Sequence, residues 1–300
     1  MQEYIPLVSA IIPTYNRAHF VSEAIDSVLA QTYTNFEIVV VNDGSADDTM
    51  HVLQAYGTRI RVVNKPNGGL TSARNRGIVE SRGELIAFLD DDDKWLPHKL
   101  EKQVPEFADP DVCLVHTAGR FINEATGWDK TQFVGDIGFH ELLAMHVIYG
   151  QTVVVRKSVI DELGPFDAEY NSSVEDLELW LRIAQNHKIK GIDACTAEIR
   201  CHEAAMHNNL RRMYTCNMRV IDKYSHVHVN CAECASSVRT ARRYLRVYAY
   251  EECKIRARRA LKKRAYFEAI RLRFEAFRYD PSALALLPVR TMKRLVGRSA

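Results

Sequence analysis

Four carboxylates in a row, Asp90 to Asp93, close an apolar run in LIAFLDDDDKW. Adjacent like charges repel, so a fold keeps them only where something offsets the charge. The preceding run does not alternate polar with apolar, which reads as a strand buried on both faces. Open α/β sheets bind their ligands at the carboxyl ends of such strands. Hard oxygen donors there suit Mg²⁺ or Mn²⁺, held through one or two carboxylates plus substrate phosphates. A solvated acidic loop is the plainer alternative. Arg74 and Arg76 have forks that match phosphate oxygens, with one of the two expected to face solvent. Glu175 and Asp176 open the stretch EDLELWLR, where a carboxylate also simply suits a helix N-terminus. Cys231 and Cys234 form a CxxC pair with His226 and His228 just upstream. The usual loop to a second ligand pair is missing, so zinc is the weaker reading of that segment and chance spacing the stronger.

The elements around these residues alternate. Val8 to Pro13 reads as a strand, followed by the loop TYNR. In the segment from His19 to Leu29, the residues Val21, Ala24, Ile25, Val28 and Leu29 form one apolar helical stripe. Phe36 to Val41 is a second strand, ending in NDGS, and a helix capped by Asp47 or Asp48 runs to about Tyr56. Ile60 to Val63, a helix from Thr71 to Glu80 and the run to Asp90 complete a β-α-β-α-β-α-β series. It predicts an α/β fold with a mainly parallel sheet, flanking helices and right-handed crossovers. The loops TYNR, NDGS, NGG and DDDD then meet at one edge, in a polar cleft suited to a phosphorylated ligand. Beyond it, Val112 to His116 and Thr152 to Val155 read as strands and 119–138 as irregular. Phe139 to Met145, Ser158 to Leu163 and Val174 to His187 read as helices. Neither G-x-G-x-x-G after the first strand nor G-x-x-x-x-G-K-[ST] is present, which disfavours dinucleotide enzymes and P-loop NTPases.

The segments VSAIIPTYNR, SVLAQTYTNFEIVVVNDGS, NGGLTSARNRGI, GELIAFLDDDDKWLP and GPFDAEYNSSVEDLELWLR resemble the family 2 glycosyltransferases of the GT-A fold. The resemblance covers roughly residues 6–205. It implies a Rossmann-like nucleotide-binding half over about 1–110 and an acceptor half over 111–205; by its own composition 206–300 reads as a helical basic extension. It implies that Asp43 hydrogen-bonds a nucleotide base, although Asn-Asp-Gly-Ser is also a sufficient turn by itself. Pro13, Thr14, Tyr15, Arg17, Gly69 and Arg74 fall in the same nucleotide-sugar pocket. The family pattern of an apolar residue, Asp, any residue, Asp and Asp favours Asp92 as direct metal ligand, with Asp90 or Asp91 on ribose or a metal-bound water. Four Asp in a row also permit Asp91 and Asp93. His202 matches a family histidine that in some members helps bind metal or diphosphate; a structural histidine is the alternative. Asp176 matches the general base and Glu175 a residue that orients the acceptor or the base.

The 300 residues are 47% hydrophobic, enough for one large or two modest cores. Seven cysteines at irregular spacing argue for reduced thiols and a cytoplasmic setting. No stretch approaches the roughly 20 apolar residues that span a bilayer, and the first residues do not read as a signal peptide. Residues 236–300 hold 18 Lys and Arg against 5 Asp and Glu, leaving 22 basic and 33 acidic residues before them. An acidic body with a basic tail suggests an anionic partner for the tail, either a membrane surface or nucleic acid. Arg239 to Arg278 reads as basic helix without Gly or Pro, and Leu286 to Arg298 as a second interfacial segment. Nucleic acid is the weaker partner, because no interleaved aromatic motif accompanies the charge.

The resemblance, with the acidic run at the strand end, implies a metal-assisted glycosyltransferase, using Mn²⁺ or Mg²⁺. It would move one sugar from a nucleoside-diphosphate sugar, a UDP-sugar first among them, to a hydroxyl of a glycan or lipid-linked sugar, with inversion. Processive members of the family carry Q-x-x-R-W and membrane helices, neither of which occurs. The alternatives are a sugar-nucleotide nucleotidyltransferase, whose Gly-rich N-terminal loop is missing, and a non-catalytic nucleotide- or RNA-binding protein.

Overall fold

The computed structural model describes residues 5–123, 127–132, 135–171, 173–202 and 209–280. Leu286 to Arg298 therefore lies outside the described residues. The chain forms two compact units, Met1–Cys216 and Asn217–Ala300.

The first unit opens with the alternation expected from its apolar runs. β1 (Val8–Thr14) leads to α1 (Val21–Leu29), β2 (Phe36–Asn42) to α2 (Thr49–Gln54), β3 (Arg61–Asn64) to α3 (Leu70–Glu80), and β4 (Leu85–Phe88) follows. β1 pairs with β2 and β4, and β2 with β3, all parallel. All seven residues of β1 are buried, which explains its mostly apolar sequence. The stripe Val21, Ala24, Ile25 and Val28 of α1 is wholly excluded from solvent. Each Val or Ile so buried contributes about 1.5–3 kcal/mol, and this sets which face of α1 meets the sheet.

After β4 the topology becomes mixed. β5 (Lys94–Trp95), α4 (Lys99–Gln103), β6 (Val112–Asn123), β7 (Trp128–Gln132) and α5 (Phe139–Ala144) come next. They are followed by β8 (Val154–Arg156), α6 (Lys157–Leu163), α7 (Glu175–Ala184) and β9 (Lys188–Arg200). The sheet order is β3-β2-β1-β4-β8-β6-β9-β5, with β7 paired to β6. β8 is antiparallel to both β4 and β6, whereas β9 runs parallel to β6 over a long, bulged register.

Two expectations are corrected here. Part of the stretch read as irregular, 119–138, is the end of β6 and its antiparallel partner β7. Lys188–Arg200, which carried no element assignment, is the 13-residue strand β9. Its polar residues range from the exposed Lys188 and Asp193 to the buried Thr196, without strict alternation, and pairing with β6 rather than local pattern makes it a strand.

The second unit begins within α8 (Leu210–Tyr224) and continues as α9 (Ala232–Lys262) and α10 (Tyr266–Tyr279). The stretch 239–278, read as basic helix, is interrupted at 263–265, where Arg264 takes a positive φ of 59°. Ala249, Cys253, Ala257, Ala260, Ala269, Leu272 and Ala276 of α9 and α10 are buried. Among the described residues, no helix is long and apolar enough to cross a membrane.

Candidate active site

The parallel strands deliver their terminal loops to one edge. Asp43 follows β2, and its amide donates to the carbonyl of Thr14 at the end of β1 (2.9 Å). The Asp43 side chain is buried and accepts from Lys65 Nζ and from the amides of Gly68 (3.0 Å) and Gly69 (2.8 Å). A carboxylate here suits the amino end of α3, where backbone amides and the helix dipole both favour negative charge. Gly69 has φ +84°, a conformation that L side chains rarely adopt, and a Cβ there would run into the Asn171 amide. Asn171 in turn accepts from the Thr71 amide at 3.0 Å. α3 is thus tied to both β2 and the segment before α7.

Arg74, one turn further along α3, joins two distant carboxylates. It is 4% exposed, and donates to Asp90 at 2.6 Å and to Glu175 at 2.9 Å. Glu175 is buried and Asp90 is largely withdrawn from solvent, so both charges would be costly alone and the three groups hold one another in place. Gln151 donates to the other oxygen of Asp90 at 2.6 Å. Arg76, by contrast, is half exposed and pairs with Glu80 on the surface of α3.

The four aspartates part company. Asp90 faces Arg74 and Gln151. Asp91 is buried beside the hydroxyl of Thr14. Asp92 is approached by His202 Nε2 at 2.9 Å and Arg17 at 3.8 Å. Asp93 turns away to accept from the Arg200 amide at 2.8 Å. Burial raises Asp90, with the Arg74 charge pulling against it and Asp92 pushing with it. Burial also raises Asp91 to about 7, although Thr14 opposes it, and lifts Asp93 with help from Asp92 and Asp90. A cluster in which carboxyls gain protons through crowding and burial is one that a divalent cation would relieve.

Glu175 and Asp176 begin α7. Glu175 is fixed by Arg74 and by the Ser173 amide (2.9 Å). Asp176 accepts from the Leu177 amide at 2.8 Å and has His146 Nε2 at 3.5 Å. Burial pushes the Asp176 carboxyl up, but the charge and hydrogen bond of His146, then Arg74, outweigh it and leave the carboxyl below its ordinary value. His146 is raised in return: burial pulls it down and Asp176 more than compensates. Sequence reasoning missed His146, Gln151 and Lys65, because none sits in a recognisable motif and Gln151 meets its partner 61 residues away.

The remaining expected residues lie at the same edge. Pro13 is a buried residue of β1, and Tyr15 just beyond it is 47% exposed. Arg17 and Arg200 both lie over the Phe20 ring, and His202 stacks on that ring with centroids 5.8 Å apart. Among the described residues, Thr14 Oγ1, Thr71 Oγ1 and Arg74 Nε are buried without a well-formed hydrogen bond. Orphaned polar atoms at one cleft are what a polar ligand would satisfy.

The architecture, a mixed sheet with flanking helices and a polar cleft at its strand ends, is of the GT-A type that the motifs implied. The match to known proteins agrees: residues 9–164 match the model of "Glycosyl transferase family 2", and the chain belongs to that family. An Escherichia coli relative, "UDP-Glc:alpha-D-GlcNAc-diphosphoundecaprenol beta-1,3-glucosyltransferase WfgD", is 35% identical over 195 residues, covering 64% of this chain and 75% of that protein. Five relatives from Rickettsia species, each called an uncharacterized glycosyltransferase, are 35–38% identical, and the chain spans only 28–67% of their lengths. The crystal structure of Staphylococcus aureus TarS 1-349 in complex with UDP-GlcNAc aligns with a TM-score of 0.63 at 20% identity, covering 80% of this chain and 71% of that one. The mannosyltransferase PcManGT from Pyrobaculum calidifontis, in complex with GDP-Man and Mn²⁺, gives 0.63 at 18% identity over 99% of this chain and 82% of that one. The chain is therefore a family 2 glycosyltransferase with a GT-A fold.

Proposed function

We propose that this enzyme transfers a single sugar from a nucleoside-diphosphate sugar, a UDP-sugar first among them, to a hydroxyl of a lipid-linked or surface glycan, with inversion. The observation that carries the reading is the Glu175–Arg74–Asp90 bridge, which ties the acidic run to the helix that bears Asp176. The E. coli relative, whose name specifies a UDP-glucose donor and a diphosphoundecaprenol-linked acceptor, supports the donor and acceptor classes.

Each residue then has a task. The two Asp43 oxygens accept from Lys65 and from the amides of Gly68 and Gly69, and one of these bonds would be exchanged for the imide N–H of a uracil. Tyr15 offers a face for the base, and Thr14 and Arg17 line the approach to the sugar nucleotide. Asp92 and His202 fit a cation, since one carboxylate oxygen and one imidazole nitrogen converge within 2.9 Å and suit Mn²⁺ or Mg²⁺. They would hold that cation, whose charge offsets the charge on the departing diphosphate when bound. Arg74 keeps Asp90 and Glu175 in place. Asp176, ionised through its pairing with His146, takes the proton of the acceptor hydroxyl. The freed oxygen attacks the anomeric carbon, and the bond to the diphosphate breaks with its electron pair remaining on the nucleotide. Base assistance of this kind is worth on the order of 10²–10⁴ in rate.

The second unit supports a peripheral place on the cytoplasmic membrane face. Tyr244, Val247, Tyr248, Phe267 and Phe274 are exposed on its helices, and Phe267 is 93% exposed. Basic residues surround these apolar side chains, a combination suited to an anionic lipid surface.

The test is Asp176→Asn with a UDP-sugar and undecaprenyl-diphosphate-linked sugar acceptors. Nucleotide binding should persist and transfer should fall by about 10²–10⁴; transfer at the parent rate would remove Asp176 from its role.

A further inference from the structure

The turn between α8 and α9 carries a cluster that the glycosyl-transfer site does not use. Ligand atoms of His228, Cys231 and Cys234 all lie within 4.8 Å of one another. Two thiolates and an imidazole on a tetrahedral zinc ion stand about 3.8 Å apart between sulfurs and about 3.6 Å between sulfur and nitrogen, given bonds of about 2.3 and 2.0–2.1 Å. His228 Nδ1 is 3.3 Å from Cys234 Sγ, within a few tenths of that spacing. We propose that His228, Cys231 and Cys234 form a Zn²⁺ site at the amino end of α9.

The local backbone builds the site. Asn230 has φ 57°, and the Cys231 amide bonds back to the His228 carbonyl at 3.4 Å, which folds the chain so that His228 returns toward the helix start. Cys231 is the N-cap residue of α9, with Cys234 three positions on. The Cys234 amide donates to Cys231 Sγ at 3.3 Å, as backbone amides do to metal-bound thiolates. A helix amino end favours thiolate over thiol. Cys234 is 2% exposed. Zinc takes cysteine as thiolate, so its binding would release the thiol protons.

The donor set also selects the metal. Soft sulfur ligands favour Zn²⁺ over the Mg²⁺ or Mn²⁺ expected at Asp92. Three ligands come from residues 228–234, and a water or a side chain from outside this turn completes the tetrahedron. The ion would staple the end of α8 to the start of α9.

The experiment uses the full chain, purified without a polyhistidine tag under reducing conditions, with metals counted by plasma mass spectrometry. About one zinc per chain is expected. Cys231→Ser and Cys234→Ser should fall to background, and Asp92→Ala should keep its zinc. Because a cysteine variant could unfold, Co²⁺ is also titrated into the metal-stripped parent chain. Thiolate-to-cobalt charge-transfer absorption should appear there, and zinc should displace it. Background zinc in parent protein with both thiols free would overturn the site. So would zinc retained in a Cys231→Ser/Cys234→Ser double variant, or a Cys231–Cys234 disulfide that binds neither metal after reduction.

Discussion

The two units handle charge in opposite ways. Around the cleft of the first unit, charges of both signs are buried or half-buried and matched: Arg74 with Asp90 and Glu175, Lys65 with Asp43, His146 with Asp176. In the second unit most charge is basic, exposed and mixed with exposed aromatic residues. Buried, matched charge permits one arrangement and is costly to break. Exposed charge of one sign is insensitive to any single residue, and salt screens it. The first pattern suits a reaction that needs fixed geometry, and the second suits adhesion to a surface.

Substitutions sharpen this contrast, beginning where one residue should matter most. Asp176→Asn should lower transfer by about 10²–10⁴ with an unchanged nucleotide Kd, read from initial rates and calorimetry. Arg74→Ala leaves Asp90 and Glu175 buried without their partner, and should cost about 3–5 kcal/mol in denaturant unfolding. His146→Ala removes the charge that holds Asp176 low. The carboxyl then titrates higher, and the acid limb of the pH–rate profile should move to higher pH. His116 gives a weaker pH effect in the same unit. Burial lowers its folded pKa from the usual 6.5 to about 4, against the bond to the Gly135 carbonyl. Below the unfolded value the unfolded chain takes up a proton and the folded chain does not. Stability is thus full above about pH 6.5 and falls as pH drops toward 4. The loss from pH 7 to pH 5 should be about 2 kcal/mol greater than in His116→Asn. Any single Lys or Arg of α9 or α10 changed to Gln should weaken binding to phosphatidylglycerol vesicles by only about 1 kcal/mol. Vesicle sedimentation measures it, and a single such change that abolished binding would break the contrast.

The sequence carried the first half of the fold because its information is local. The strand β4 is apolar throughout, β1 and β2 are mostly so, and α1 has an unambiguous stripe. β9 was illegible for the opposite reason. Its Lys, Asp, Thr and Glu residues fall at exposed, half-exposed and buried positions alike, and its strand character comes from β6, dozens of residues earlier. β5 is two residues long and joins the far edge of the sheet, a path that no local pattern encodes. The site divides along the same line. Asp43, Asp90–Asp93 and Asp176 stood out as acidic residues at element ends. Their partners Lys65, Gln151 and His146 are ordinary residues in ordinary stretches, made significant by contacts 22, 61 and 30 residues away. Arg74 stood out as a phosphate-binding candidate, but the sequence did not show that its terminal nitrogens would engage two carboxylates.

The central claim is a nucleotide site completed by Asp92, and titration calorimetry tests it most directly. UDP should bind the parent chain, bind more tightly with Mn²⁺, and lose that Mn²⁺ dependence in Asp92→Ala. Absence of heat from UDP, GDP, dTDP and CMP alike, with Mn²⁺ present, would contradict the account.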